Sequence, residues 1–145
     1  MTSGTIAPVR KSVTVARTPT DAFRIFTEQL ADWWPLETHS LDPEHVTGAR
    51  ITPEVGGAIV ELRDDGSAVS WGTVRVWEPP RRFVMSWTVT EVETEVEITF
   101  TPDGEDTLVE VVHRGWEAYG ERVEERRHNY DSGWPGVLAR YVAVT

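Results

Sequence analysis

Chemistry in this chain would have to come from a few polar side chains set among rings. His113 and Glu61 stand in strand-like segments otherwise rich in Val, Ile, Phe and Met, and Tyr130 precedes Trp134 by one helical turn. A titratable group surrounded by apolar side chains has its pKa moved by desolvation, which is how general acids and bases are made. His113, Glu61 and Tyr130 are therefore the catalytic candidates for moving a proton. A plainer reading carries more weight for the first two: a satisfied core histidine, and a strand-edge glutamate that reaches solvent. Other chemistries lack their residues. With no cysteine there is no disulfide framework, thiolate zinc site or Cys nucleophile. His39, His45 and His128 match no helix-borne zinc spacing, and no acid-rich loop has the calcium arrangement, so no metal is expected. Gly56-Gly57 lacks the Lys-Ser/Thr and helix of a phosphate loop, and Ser40 and Ser132 have no nucleophile-elbow context. No cofactor is called for.

What must position these groups is a sheet. Side chains alternate along a strand and opposed residues share a face, so a register can be tested by asking whether apolar positions meet. A hairpin centred on Pro79-Pro80 sets Val76 opposite Phe83, Val74 opposite Met85 and Gly72 opposite Trp87, with the glycine making room for the indole. One centred on Glu91-Val92 sets Trp87, Met85 and Phe83 opposite Val96, Ile98 and Phe100. The turn Asp103 to Asp106 pairs Phe100 with Val109, Ile98 with Val111 and Val96 with His113. The Asp65-Gly66 turn pairs Ile59 with Gly72 and Glu61 with Ser70. Bulky apolar residues gather on one face; Arg82, Ser86, Glu95, Glu97, Thr99 and Glu110 take the other, which reads as water-facing. Trp71 and Trp77 fall on that second face. There they would make a homodimer contact or an edge packing, unless a bulge near Gly72 turns Trp71 inward.

Around the meander, Val9 to Ala16 alternates as a first strand. Thr18-Pro19-Thr20-Asp21 has the residues of a helix start, and Phe23, Phe26 and Leu30 follow as one apolar stripe ending near Trp33-Trp34-Pro35. Glu44 to Thr52 reads as a strand. From about Glu121 to Val142, Val123, Tyr130, Trp134, Val137, Leu138 and Tyr141 recur at helical spacing, and Pro135 between Gly133 and Gly136 should kink or split that helix. The fold class is α+β: a curved antiparallel sheet of about seven strands wrapped around a long C-terminal helix, with two short helices after the first strand. The helix must cover the apolar face. A sheet gripping a helix in this way leaves a space that large rings would frame. The expected ligand-binding residues are Trp33, Trp34, Val74, Met85, Trp87, Ile98, Phe100, His113, Tyr130 and Trp134; ordinary helix-to-sheet contact would account for the same rings.

The chain has 145 residues, which fits a single domain over 1–145 with one core, and its seven Trp against three Tyr and four Phe are an excess of indole. A net charge of -10 argues against a nucleic-acid partner, because phosphate tracking needs clustered Lys and Arg. Met1 to Arg10 lacks the apolar core of a leader, and no stretch approaches the roughly 18 apolar residues of a membrane span. A cytoplasmic protein is expected.

The ordered set Ala22 to Thr27, Trp33-Trp34-Pro35 with His39-Ser40, Val55-Gly56-Gly57, Asp65-Gly66 to Trp71-Gly72, Trp77 to Phe83 with Trp87, His113 to Trp116 and Gly133-Trp134 resembles the helix-grip (SRPBCC, START-like) superfamily. Within it the chain is similar to the activator of Hsp90 ATPase homologue 1-like proteins. The resemblance implies a fold and a cavity, with no shared catalytic motif to carry over. Three functions follow as expectations: binding a small hydrophobic or aromatic molecule for transport, sensing or sequestration; a cyclase, aromatase or hydratase using the same cavity; and a chaperone-interaction module.

Overall fold

The computed structural model describes residues 6–90 and 92–145. Glu91 of the expected Glu91-Val92 turn, and Met1 to Thr5 of the leader reading, lie outside the described residues. Strand β1 (Val9–Val15) leads into three helices, α1 (Pro19–Glu28), α2 (Leu30–Trp33) and α3 (Leu36–His39). There are three short helices where the sequence suggested two, because Trp34 and Pro35 interrupt the helical run and the chain then makes one more turn. Six strands follow: β2 (Val46–Ile51), β3 (Ala58–Arg63), β4 (Ala68–Glu78), β5 (Arg82–Trp87), β6 (Thr94–Asp103) and β7 (Asp106–Arg114). A 3-10 helix (Trp116–Arg122) then leads into α4 (Val123–Val144). The strands form one curled antiparallel sheet in the order β1-β7-β6-β5-β4-β3-β2. Strands β1 and β2 thus lie at opposite edges, and α1 to α3 cross between them.

Helix α1 starts as its residues require. The Thr18 hydroxyl accepts the Asp21 N–H at 3.2 Å, and Pro19 takes the first turn, where a missing donor costs nothing. Phe23 and Phe26 then drive into the sheet. Phe26 meets Tyr141 of α4 at 5.0 Å and Phe83 at 5.8 Å, and Phe23 meets Phe100 at 5.0 Å. These edge-on and tilted rings fill much of the space between sheet and helix.

The β6–β7 register is the expected one, with Ile98 opposite Val111 and Val96 opposite His113. Between β5 and β6 the partners slip by two residues: Phe83 faces Ile98 and Met85 faces Val96. A slip of two leaves every side chain on its own face, so apolar pairing alone could not choose between the registers. Two bulges change more. Val74 faces Met85 as expected, but the register shifts beyond it, so that Trp77 rather than Val76 opposes Phe83. Trp77 therefore packs inward, 5.1 Å from Phe23. Another shift sets Ile59 opposite Gly72 but Val60 opposite Ser70, leaving Trp71 as the extra residue. Trp71 turns inside and is buried. Gly72 makes room for backbone, not for the Trp87 indole: a Cβ there would lie 1.8 Å from the Ser86 carbonyl oxygen.

On α4, Trp134, Val137, Leu138 and Tyr141 form the buried stripe. Pro135 neither ends nor splits the helix. It sits on the solvent side with Gly136, where the carbonyl it leaves unbonded can be hydrated. The outer face of the sheet is ionic: Arg82 bonds Glu78 and Glu97 at 2.7 and 2.8 Å, and Arg114 bonds Glu97 and Glu95 at 2.8 and 2.6 Å. Among the described residues no helix is long and apolar enough to cross a membrane.

Candidate functional site

A cleft of about 290 Å³ opens at one end of the sheet, between α3, the segment after β5, and α4. Its floor is indole. Trp34 lies 5.9 Å from Trp87 and 6.0 Å from Trp134, so rings from three distant parts of the chain converge. Trp71 backs them from beneath, 5.3 Å from Trp34. Each ring is fixed by its N–H: Trp34 donates to the His39 carbonyl at 3.0 Å, Trp87 to the Tyr130 hydroxyl at 3.0 Å, and Trp134 to His113 Nδ1 at 3.2 Å. Buried indoles need such partners, and here the partners set the orientation of the floor.

Polar groups ring the mouth. Thr38 and His39 come from α3 and Ser40 from the residue that ends it, Thr90 from the loop opposite, and Arg126, Asn129 and Tyr130 from α4. The Thr90 side is steadied by the Tyr119 hydroxyl, and Tyr119 stacks on Trp116. Among the described lining residues Arg126 is a cation and none is a carboxylate.

Of the residues expected to bind a ligand, Trp34, Trp87, Tyr130 and Trp134 line this cleft. Trp33, Val74, Met85, Ile98 and Phe100 are buried in the core behind it, and so is His113. The reason is the aromatic packing of α1 described above, which occupies the deep space that periodicity left open. Thr38, His39, Ser40, Val89, Thr90, Arg126 and Asn129 were not singled out as lining. They lie in short helices, a loop and the exposed flank of α4, where no apolar period marks them. Their one sequence signal was the nearness of Thr38 to Ser40 to the Trp33-Trp34-Pro35 cluster.

His113 is fully buried, with Trp116 at 4.3 Å and Tyr130 at 4.8 Å. Indole N–H can only donate, so Nδ1 must accept from Trp134, and Nε2–H then donates to the Thr94 hydroxyl at 2.7 Å. Burial pushes the imidazole down to about 3, so the ring is neutral and both nitrogens are engaged. It holds the floor rather than facing the cleft. Glu61 is also fully buried, and does not reach solvent as a strand-edge residue would. Its oxygens accept from the Leu41 and Asp42 backbone N–H groups at 2.7 and 3.1 Å, from Trp71 Nε1 at 3.0 Å and from Arg63 at 3.1 Å. Desolvation pushes the carboxyl up, but these donors outweigh it and hold the group below its ordinary value. Glu61 thereby pins the chain after α3, next to the lip of the cleft. Indoles separate the two residues, so they form no dyad.

A larger hollow of about 470 Å³ lies between α1, the end of β2 and the β4–β5 turn. Phe23, Ile51, Trp77, Pro79 and Pro80 line it, and its charged groups, Arg24 and Glu28, stand at the rim. It lacks the convergence of polar groups on a ring floor that marks the first cleft. Among the described residues no group of side chains could hold a metal ion.

A curled sheet closed on a long C-terminal helix, with a ring-floored cleft at one end, is a helix-grip protein. The chain belongs to the activator of Hsp90 ATPase homolog 1-like protein family, whose model matches residues 16–144. It is similar to the solved structure of an anthrahydroquino-gama-pyrone synthase, Txn09, complexed with SUM, at 33% identity over 99% of this chain and 100% of that one, with a TM-score of 0.66. It is also similar to CalC from Micromonospora echinospora, a self-sacrificing resistance protein, at 28% identity over 94% and 92% of the two chains, with a TM-score of 0.70. Protein MLL2253 from Mesorhizobium loti, 16% identical over 92% and 94% with a TM-score of 0.67, shares the fold alone. No curated protein matches the chain.

Proposed function

We propose that this chain, acting as one domain over residues 1–145 in the cytoplasm, binds a small hydrophobic or aromatic molecule in the cleft as a carrier, sensor or sequestering protein. The observation that carries the reading is the floor of Trp34, Trp87 and Trp134, each fixed by its N–H and lining the cleft with 3–6% of its surface exposed, beneath a polar rim. Fixed rings bind planar faces at low entropic cost, and scattered hydroxyls and amides at the mouth select orientation. The likeness to Txn09 over almost the whole of both chains favours a second reading, an enzyme of the cyclase, aromatase or hydratase kind that uses the same cleft. A chaperone partner is suggested by the family's name alone, and the acidic charge would suit only a basic docking surface.

Native mass spectrometry of freshly purified protein, set against its denatured mass, tests the binding reading. A copurifying small molecule at one per chain is the expected result, and the same spectrum reports whether the protein is a homodimer. Titration with a hydroxyanthraquinone dye should quench tryptophan fluorescence saturably, and Trp134→Ala should weaken that binding about tenfold, the equivalent of one lost stacking contact of roughly 1.4 kcal/mol. An apo mass together with no saturable quenching would sink the proposal.

A further inference from the structure

We infer that Gly133 sets the size of ligand the cleft accepts: bearing no side chain at the centre of the α4 wall, it admits a three-ring fused aromatic that an alanine there would exclude. The inference rests on the binding reading above. Arg126, Asn129, Tyr130, Trp134 and Val137 of α4 also line the cleft. With Gly133 they form one stripe at spacings of three and four, and Asn129 and Val137 stand one turn before and one turn after the glycine. The bare backbone is therefore in the middle of that wall.

The fold itself does not call for a glycine at this place. Gly72 must lack a Cβ, because one there would lie 1.8 Å from the Ser86 carbonyl oxygen. Gly133 is inside α4 and is not among the residues of positive φ. Among the described residues outside α4, an added Cβ would meet within 4 Å only His39 Nε2, at 3.9 Å, an ordinary contact with the end of an exposed side chain. Glycine is nevertheless the least favourable residue inside a helix after proline, because it loses the most backbone freedom on folding. Helix α4 thus gives up stability at Gly133 with no gain in its own packing.

The missing methyl faces the cleft. A methyl group is about the size of a water molecule, roughly 30 Å³, so it would take about a tenth of a cleft of about 290 Å³. That volume is at the lower end of what holds a whole ligand. The floor offers little to make up the loss, since Trp34, Trp87 and Trp134 are each held by an N–H bond. In the complex, a planar ligand lying on the indoles has its edge against α4 at Gly133, where it touches backbone and no side chain. Two fused rings fit beside a methyl; a third needs the space that Gly133 leaves.

The test compares Gly133→Ala with Gly136→Ala. Gly136 belongs to the same helix, is exposed, has nothing within 4 Å of an added Cβ and does not line the cleft. Both variants should melt about 2–4 °C higher than wild type, the gain from alanine over glycine inside a helix of a domain this size. Calorimetric titration of the full chain should then separate them. A three-ring hydroxyanthraquinone should bind Gly133→Ala about tenfold more weakly or worse, the effect of one misplaced methyl in a shaped pocket, and bind Gly136→Ala as it binds wild type. A two-ring naphthol should bind Gly133→Ala within about threefold of wild type, so that the ratio of the two affinities moves. Equal dye affinity in wild type and Gly133→Ala would overturn the inference and leave the binding reading intact, and so would a parallel loss of the naphthol. A lower Tm for Gly133→Ala would overturn it as well, since the glycine would then serve the helix beside Pro135. Failure of the dye to bind the wild-type protein would remove both readings.

Discussion

At the scale of single residues, the polar side chains of this protein divide by what they face. Glu61 and His113 are buried and fully bonded; His39 and Arg126 look into the cleft. Glu61 is the anchor of the first group, since one carboxylate takes two backbone N–H groups, an indole and a guanidinium. Glu61→Gln keeps the shape but turns an acceptor into an NH₂ that opposes one of those donors. Breaking a buried, hydrogen-bonded charge of this kind costs about 3 kcal/mol. The expected outcome is a fall of that size in unfolding free energy, read from denaturant melts, with increased hydrogen exchange at Leu41 and Asp42. An unchanged midpoint would mean that the clamp contributes nothing. The sequence marked both residues as polar groups on an apolar wall, which is correct. It could not show which way each was satisfied, because the partners of Glu61 are a loop twenty residues earlier and an indole turned inward by a bulge.

At the scale of elements, periodicity carried the sheet and both amphipathic helices, because their apolar stripes repeat over several turns or strands. What it could not settle are single-residue events. The bulge at Trp71 is the inward alternative that the sequence left open, whereas the one near Arg75 was not foreseen; together they place Trp71 and Trp77 in the interior, where they do not supply the association surface that would favour a homodimer. The cleft was hard to read for the same reason: its rim comes from α3, a loop and the outer flank of α4, which share no pattern. Pro135 offers a direct measurement at this scale. It lies inside α4 at an exposed position and removes one helix hydrogen bond, a loss of up to about 3 kcal/mol in a helix interior. Pro135→Ala should therefore raise stability by roughly 1–3 kcal/mol. The same variant should leave dye affinity unchanged if Trp134 keeps its bond to His113. A destabilised Pro135→Ala protein would instead show that the cleft end of α4 depends on the backbone geometry that Pro135 imposes.

For the molecule as a whole, burial of a neutral histidine beside paired carboxylates makes stability depend on pH in two stages. The ordinary value for His113 is 6.5, and burial lowers it to about 3 in the folded protein. Between those values the unfolded chain holds a proton that the folded chain refuses, so stability falls as pH falls, by up to about 1.4 kcal/mol per unit. Below 4.5 the carboxylates join in. Glu61 and Glu97 are each pushed up by desolvation but held below 4.5 by their donors, for Glu97 the Arg114 and Arg82 guanidinium groups. Their contribution is complete above 4.5 and is lost as pH drops through their lowered folded values. His45 acts with the opposite sign: bonded to Asp42 it is raised above 6.5, so what it adds is present below 6.5 and is lost as pH rises through that raised value. The window from 6.5 to 4.5 therefore isolates His113 once His45 is replaced. In a His45→Gln background, the urea midpoint should decline steadily from pH 7 to pH 5. Adding His113→Gln, which can still accept from Trp134 and donate to Thr94, should lower the midpoint at pH 7 but flatten that decline. If the slope survived the second substitution, His113 would not be the neutral pin of the cleft floor, and the orientation of Trp134 would need another cause.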